Sequence, residues 1–169
     1  WRGVGTGQGL GILVYHSEDG GTTVSQLTVL LIEDNPRDVR LTQRAFQQAD
    51  LPHDLRVVRD GDEALAYLNR EGEYQDPSSS PRPNVILLDL NLPRMGGLEV
   101  LCQVKQDPRF KQLPIIVLTT SGRPIDVRQA YENGANAYLL KPVEFARFTE
   151  VLGQLGKFWL ETVELPQET

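Results

Sequence analysis

The sequence predicts an α/β fold: an open parallel sheet, doubly wound, with helices on both faces. Three observations predict it. From Leu27 onward, short apolar runs alternate with amphipathic stretches, giving five such pairs. The runs are nearly continuous in Val, Ile and Leu, as strands buried on both faces are. The chain, 169 residues with 40% hydrophobic content, fits one domain with a tail and a single good core.

The predicted strands are Thr28–Ile32, Asp54–Val58, Val85–Leu88, Ile115–Leu118 and Ala137–Leu140. The second is the most polar and is expected at an edge. Asn35 and Pro36 supply an N-cap and a first-turn proline for a helix whose apolar face includes Val39, Thr42, Ala45, Phe46 and Ala49. Ala64, Leu65 and Leu68 mark a second helix. The stretch from Glu71 to Asn84, rich in Ser, Pro and Gly, is expected to be a mobile surface loop. Leu98, Leu101 and Cys102 mark a third helix, and Val127, Ala130 and Tyr131 a fourth that Asn133 and Gly134 close with a left-handed stop. The fifth carries Phe145, Phe148, Val151, Leu152, Leu155, Phe158 and Trp159 at helical spacing. Its end, Phe158-Trp159-Leu160, reads either as an extra flap of core or as a contact surface for another chain. Residues 1–26 are expected to be a flexible Gly-rich segment, residues 27–162 the domain with its extended final helix, and residues 163–169 an acidic tail.

The net charge of −6, with no stripe of Lys and Arg, argues against nucleic acid as a direct partner. Apolar runs of four or five residues fall far short of the roughly 20 needed to span a membrane. The lone Cys102 has no internal disulfide partner and reads as a half-buried packing residue, so a soluble, reducing compartment, the cytoplasm, is expected.

The chemistry gathers where strands end. Glu33 and Asp34 follow the first strand, Asp89 the third, Thr119 the fourth and Lys141 the fifth. In open parallel sheets, functional groups collect just beyond the carboxyl ends of the strands. An acid directly after Val85-Ile86-Leu87-Leu88 stands at the end of a buried strand, where an unpaired charge is costly. A salt bridge to Lys141 would stabilise Asp89 but leaves Glu33 and Asp34 unexplained. Three crowded carboxylates read as a divalent metal cup, and oxygen-only ligands favour Mg2+. Asp34, Asp89 and the backbone carbonyl of Asn91 are the expected ligands, with Glu33 holding a ligand water. Asp89 would then attack a donor's phosphorus to form an acyl phosphate, while Lys141 neutralises the phosphoryl oxygens.

These residues also form a family pattern. Leu30-Leu31-Ile32-Glu33-Asp34-Asn35, Leu87-Leu88-Asp89-Leu90-Asn91-Leu92-Pro93 with Gly96 and Gly97, Leu113-Pro114-Ile115-Ile116-Val117-Leu118-Thr119, and Lys141-Pro142 together resemble the receiver domain of two-component response regulators. The resemblance covers about Leu27 to Leu160. It implies a flavodoxin-like (βα)5 sheet in strand order 2-1-3-4-5. It implies Asp89 as the phosphoacceptor, Glu33 and Asp34 as the acidic metal pair, Thr119 as the switch hydroxyl, Tyr138 as the aromatic switch and Lys141 as the phosphate-binding lysine. A cis Lys141-Pro142 bond is common in the family. The long loop before Val85, Arg59-Asp60-Gly61 and the ending Phe158-Trp159-Leu160 look most like phytochrome-associated response regulators. Upstream, Gly5 to Val14 with Gly20, Gly21 and Thr22 resembles the ATP lid and terminal strand of sensor histidine kinases, which without the rest of a kinase implies a non-binding remnant.

The resemblance implies a sensor histidine kinase, a phytochrome among the candidates, as phosphodonor. After Lys141 the chain has one helix and a short acidic tail, so output is expected to pass through a downstream protein target or a phosphotransfer protein. The aromatic end of the last helix favours a homodimer. Two other readings stay open: a receiver-like module that docks without phosphorylation, and a haloacid dehalogenase-like phosphatase. The latter wants a second acid two residues after its nucleophile, where this chain has Asn91.

Overall fold

The apolar runs become strands because both of their faces are covered. In the computed structural model, which describes residues 14–16, 22–24, 27–49 and 53–163, a five-stranded sheet is built from β3 (Leu27–Ile32), β4 (His53–Val58), β5 (Val85–Leu88), β6 (Ile115–Thr119) and β7 (Ala137–Leu140). All pairings are parallel, in the order β4-β3-β5-β6-β7, or 2-1-3-4-5 counted within the sheet. The polar strand β4 lies at an edge, as its composition predicts.

Alternate residues of each strand serve opposite cores. Leu30, Ile32, Ile86, Leu88, Ile115 and Val117 face α2 (Gly61–Asn69), α3 (Gly97–Gln106) and α4 (Pro124–Glu132), packing on Ala64, Tyr67, Leu68, Val100, Leu101, Val104 and Ala130. Val29, Leu31, Val85, Leu87, Ile116 and Leu118 face α1 (Pro36–Gln48) and α5 (Phe145–Lys157) through Ala45, Phe46, Phe148 and Leu152. Helix α1 starts as predicted: the Asn35 side chain accepts a hydrogen bond from Arg37 N, and Pro36 opens the helix. Helix α4 is followed by Gly134 at φ +92°, the left-handed stop expected there.

Four details differ from expectation. Helix α3 buries Val100 and Val104 beside Leu101, while Leu98 packs only partly; its Cys102 is half-buried, as expected. Tyr131 of α4 is exposed, since α4 buries only Ala130. The Glu71–Asn84 stretch is tied down: the Tyr74 hydroxyl donates to Glu63 Oε1 (2.6 Å), that of Tyr67 to the Pro81 carbonyl (2.7 Å), and the buried Ser80 hydroxyl to the Tyr74 carbonyl (2.6 Å). The Lys141-Pro142 bond is trans.

Within the N-terminal glycine-rich segment, β1 (Val14–His16) and β2 (Thr22–Val24) pair antiparallel, Val14 opposite Val24. Their β-branched and aromatic residues suit a short ladder. The rest of residues 1–26, and 164–169 of the expected acidic tail, lie outside the described residues. Among the described residues no helix is long and apolar enough to cross a membrane.

Candidate functional site

The sheet's own hydrogen bonding carries the functional residues. Three of the sheet's four ladders run one residue past their strands: Glu33 N donates to Val58 O (3.0 Å), Asp89 N to Ile32 O (3.1 Å) and Lys141 N to Thr119 O (2.8 Å). Glu33, Asp89 and Lys141 are thereby fixed in position by backbone bonds before their side chains make any contact. Glu33 and Asp89 are 1% and 6% exposed, and Thr119 is fully buried.

The side chains converge on the Lys141 ammonium. Its Nζ donates to Glu33 Oε2 at 2.5 Å, Asp89 Oδ2 at 2.6 Å and Asp38 Oδ2 at 2.9 Å. The other oxygens of the first two acids are also engaged: Glu33 Oε1 accepts from Asn35 N (3.1 Å) and Asp89 Oδ1 from Asn91 N (3.0 Å). Burial opposes the charge on Lys141, yet the hydrogen bonds to Asp89, Glu33 and Asp38 outweigh it and hold the ammonium above its ordinary pKa. Burial lifts the carboxyl of Glu33 to about 7, against the pull of Lys141. Beside this group the Asn91 amide donates to Thr119 Oγ1 (3.3 Å), and the Tyr138 hydroxyl donates to the Ser121 carbonyl (2.7 Å).

Helix α3 approaches so closely that only glycine fits at its first residue. A Cβ on Gly97 would lie 2.2 Å from the Asp89 carbonyl oxygen and 2.6 Å from Leu90 Cα. An open cleft of about 440 Å3, lined in part by Asn91, Gly97, Ser121 and Arg123, runs beside the site.

The structure thus brings together Glu33, Asp89, Asn91, Thr119 and Lys141, all singled out from the sequence. Asp34 is exposed on the strand-to-helix connection and outside the cluster formed by Glu33, Asp38 and Asp89. Asp38 was missed. Three residues after the cap Asn35, it reads as an ordinary first-turn acid at a helix N-terminus, and nothing local marks its reach to Lys141. The carboxylate oxygens of Glu33, Asp38 and Asp89 lie within 4.8 Å of one another, gathered by the Lys141 ammonium they share, and the two buried acids, Glu33 and Asp89, are hard-oxygen donors of the kind a divalent cation takes.

At the far end of α5, a π-helical turn spans Phe158–Thr162. Phe158 is 51% exposed, whereas Trp159 packs partly against the chain's own α1/α5 core. The Leu160 side chain lies outside the described residues.

Known proteins share this architecture. The chain is 45% identical over 138 residues to the response regulator Rcp1 of Synechocystis, an alignment that covers 82% of this chain and 92% of Rcp1. The crystal structure of the phosphorylated cyanobacterial phytochrome response regulator RcpA superposes with a TM-score of 0.78 at 40% identity, covering 85% of this chain and all of that one. The Mn2+-bound form of Rcp1 gives a TM-score of 0.76 at 44% identity, covering 83% of this chain and 99% of that one. The family model for the response regulator receiver domain matches residues 29–153. With its sheet order, its strand-end acids and lysine, and these likenesses in agreement, the chain belongs to the response regulator receiver domain family.

Proposed function

We propose that this receiver accepts a phosphoryl group on Asp89 from the phosphohistidine of a sensor histidine kinase and signals through a protein interface. The observation that carries the reading is the Lys141 ammonium 2.6 Å from Asp89 Oδ2 at buried strand ends, in a chain of this family. An Asp89 oxygen attacks phosphorus in line as the bond to the imidazole nitrogen breaks, and the electron pair leaves with the imidazole. Lys141 is within reach of charge that develops on the phosphoryl oxygens. Glu33, Asp34 and Asp89, with the Asn91 carbonyl, are the proposed holders of Mg2+, which when bound supplies neutralising charge.

Once Asp89 carries a phosphoryl group of nearly two negative charges, a net gain of about one over the carboxylate it replaces, Thr119 Oγ1 is drawn toward the phosphoryl oxygens, and Tyr138 exchanges its bond to the Ser121 carbonyl for the space vacated. Both residues lie beside α4, so the face formed by α4, β7 and α5 changes shape. The receiver unit is taken as residues 27–162, acting in the cytoplasm. Its similarity to Rcp1 and to the phytochrome response regulator RcpA supports a phytochrome-class kinase as donor. A downstream protein or phosphotransfer protein reads the altered face, and a homodimer is the proposed assembly.

The test uses magnesium and a small acyl phosphate. The wild-type chain is expected to gain one alkali-labile phosphate, followed by intact mass, and Asp89→Asn to gain none. Label persisting in Asp89→Asn would overturn the assignment.

A further inference from the structure

Lys141 has three N–H donors, and three different carboxylates take them. Two of these acids, Glu33 and Asp89, extend the β-ladders and belong to the acceptor and metal site proposed above. The third, Asp38, comes from the first turn of α1. Its side chain is 22% exposed, against 2% for Glu33 and 7% for Asp89, so it closes the ammonium's shell from the solvent side.

Phosphoryl transfer makes unequal demands on the three bonds. As an Asp89 oxygen forms its bond to phosphorus and the donor's imidazole departs with its electron pair, Asp89 loses charge and its hold on Lys141 weakens. The incoming phosphoryl oxygens need an N–H from the same ammonium. Of the three acids, Asp38 alone has no part in the proposed chemistry, so its bond need not be exchanged.

We infer that Asp38 is a positioning residue: it tethers the Lys141 ammonium beside Asp89 while the other two bonds are exchanged for phosphoryl oxygens. Ammonium groups on flexible four-carbon stems are poorly oriented unless something fixes them. The Asn35 cap and Pro36 fix the start of α1 and hence the position from which Asp38 reaches. The inference rests on the proposed role of Lys141, and two measurements keep the two ideas apart.

The first needs neither donor nor metal. In 1H–15N spectra of lysine side chains, assigned with Lys141→Met, the wild-type Lys141 ammonium is expected to give a slowly exchanging signal. Asp38→Ala should lose that signal, and an unchanged exchange rate would overturn the inference. The second follows phosphorylation by a small acyl phosphate at saturating magnesium. Asp38→Ala should lower the maximal rate about tenfold with little change in half-saturating donor concentration, the signature of a lost orientation. Asp38→Glu should restore much of it. In a Lys141→Met background, removal of Asp38 should cost nothing further; an equal loss there would mean that Asp38 does not act through Lys141. If Asp38→Ala does not fold, Asp38→Asn, of the same shape, gives both readouts. A wild-type chain that takes up no phosphate would refute the proposed function, and the ammonium signal would still decide the role of Asp38.

Discussion

At the residue scale, Glu33 is a carboxyl buried to 1% exposure that faces an ammonium and a second acid, and burial opposes its ionisation. Its pKa of about 7 lies above the ordinary 4.5, so between these values the folded chain binds a proton that the unfolded chain releases. The stability linked to that proton is full below the unfolded value and is lost as pH rises through 7. In chelator-treated buffer, urea unfolding should show wild type losing up to about 3 kcal/mol relative to Glu33→Gln between pH 4.5 and 7.5. Parallel profiles would show that Glu33 stays ionised throughout. At this scale the sequence exposed Asp89 and Lys141 because a charge beside a buried apolar run demands a partner. Asp38 stayed hidden because a first-turn acid has an adequate local explanation.

At the scale of elements, the site is precise because β-ladder bonds extend beyond the strands and because α3 docks against the backbone that follows Asp89. Gly97 makes the second possible. Alanine there would put a methyl 2.2 Å from the Asp89 carbonyl oxygen, a backbone atom that has little room to yield. Gly97→Ala is therefore expected to destabilise the fold by about 1–3 kcal/mol in chemical denaturation and to slow phosphorylation of Asp89 by shifting its loop. Wild-type stability in that variant would mean that α3 can withdraw freely. Strands and helix starts were legible here, since apolar runs, Asn35 and Pro36 carry local signals. The buried face of α3 was less so, because Leu98, Val100, Leu101 and Val104 together circle much of the helix, and only docking against the sheet chose among them. The Glu71–Asn84 stretch misled for a related reason: its Ser, Pro and Gly suit a loop, and the bonds of Tyr67 and Tyr74 that anchor it are long-range.

At the scale of the whole molecule, two cores on either side of the sheet leave Ile125 of α4 and Leu140 of β7 exposed on the elements of the proposed switch face, and Phe158 exposed beyond the end of α5. The aromatic ending of the final helix divides accordingly. Trp159 belongs partly to the α1/α5 core, while Phe158, at 51% exposure, is the residue left for the proposed contact with a second copy. Replacing Phe158 by Ser should shift sedimentation or size-exclusion behaviour toward the monomer while the chain stays folded, as its circular dichroism would show. An unchanged profile in a wild-type dimer would remove Phe158 from the interface. Truncation before Phe158 would remove Trp159 as well and confuse core with contact surface.

The sequence by itself determined the strand series, the edge position of β4, the first helix cap and the identity of the strand-end acids and lysine. Each of these rests on local periodicity, a local cap or a charge next to a buried run. The tertiary structure decided which acids share the ammonium. It drew Asp38 in from α1, left Asp34 exposed, and assigned Phe158 and Trp159 to different surroundings. The reason is that side-chain direction across elements depends on how helices dock on the sheet, and no spacing along one segment encodes that.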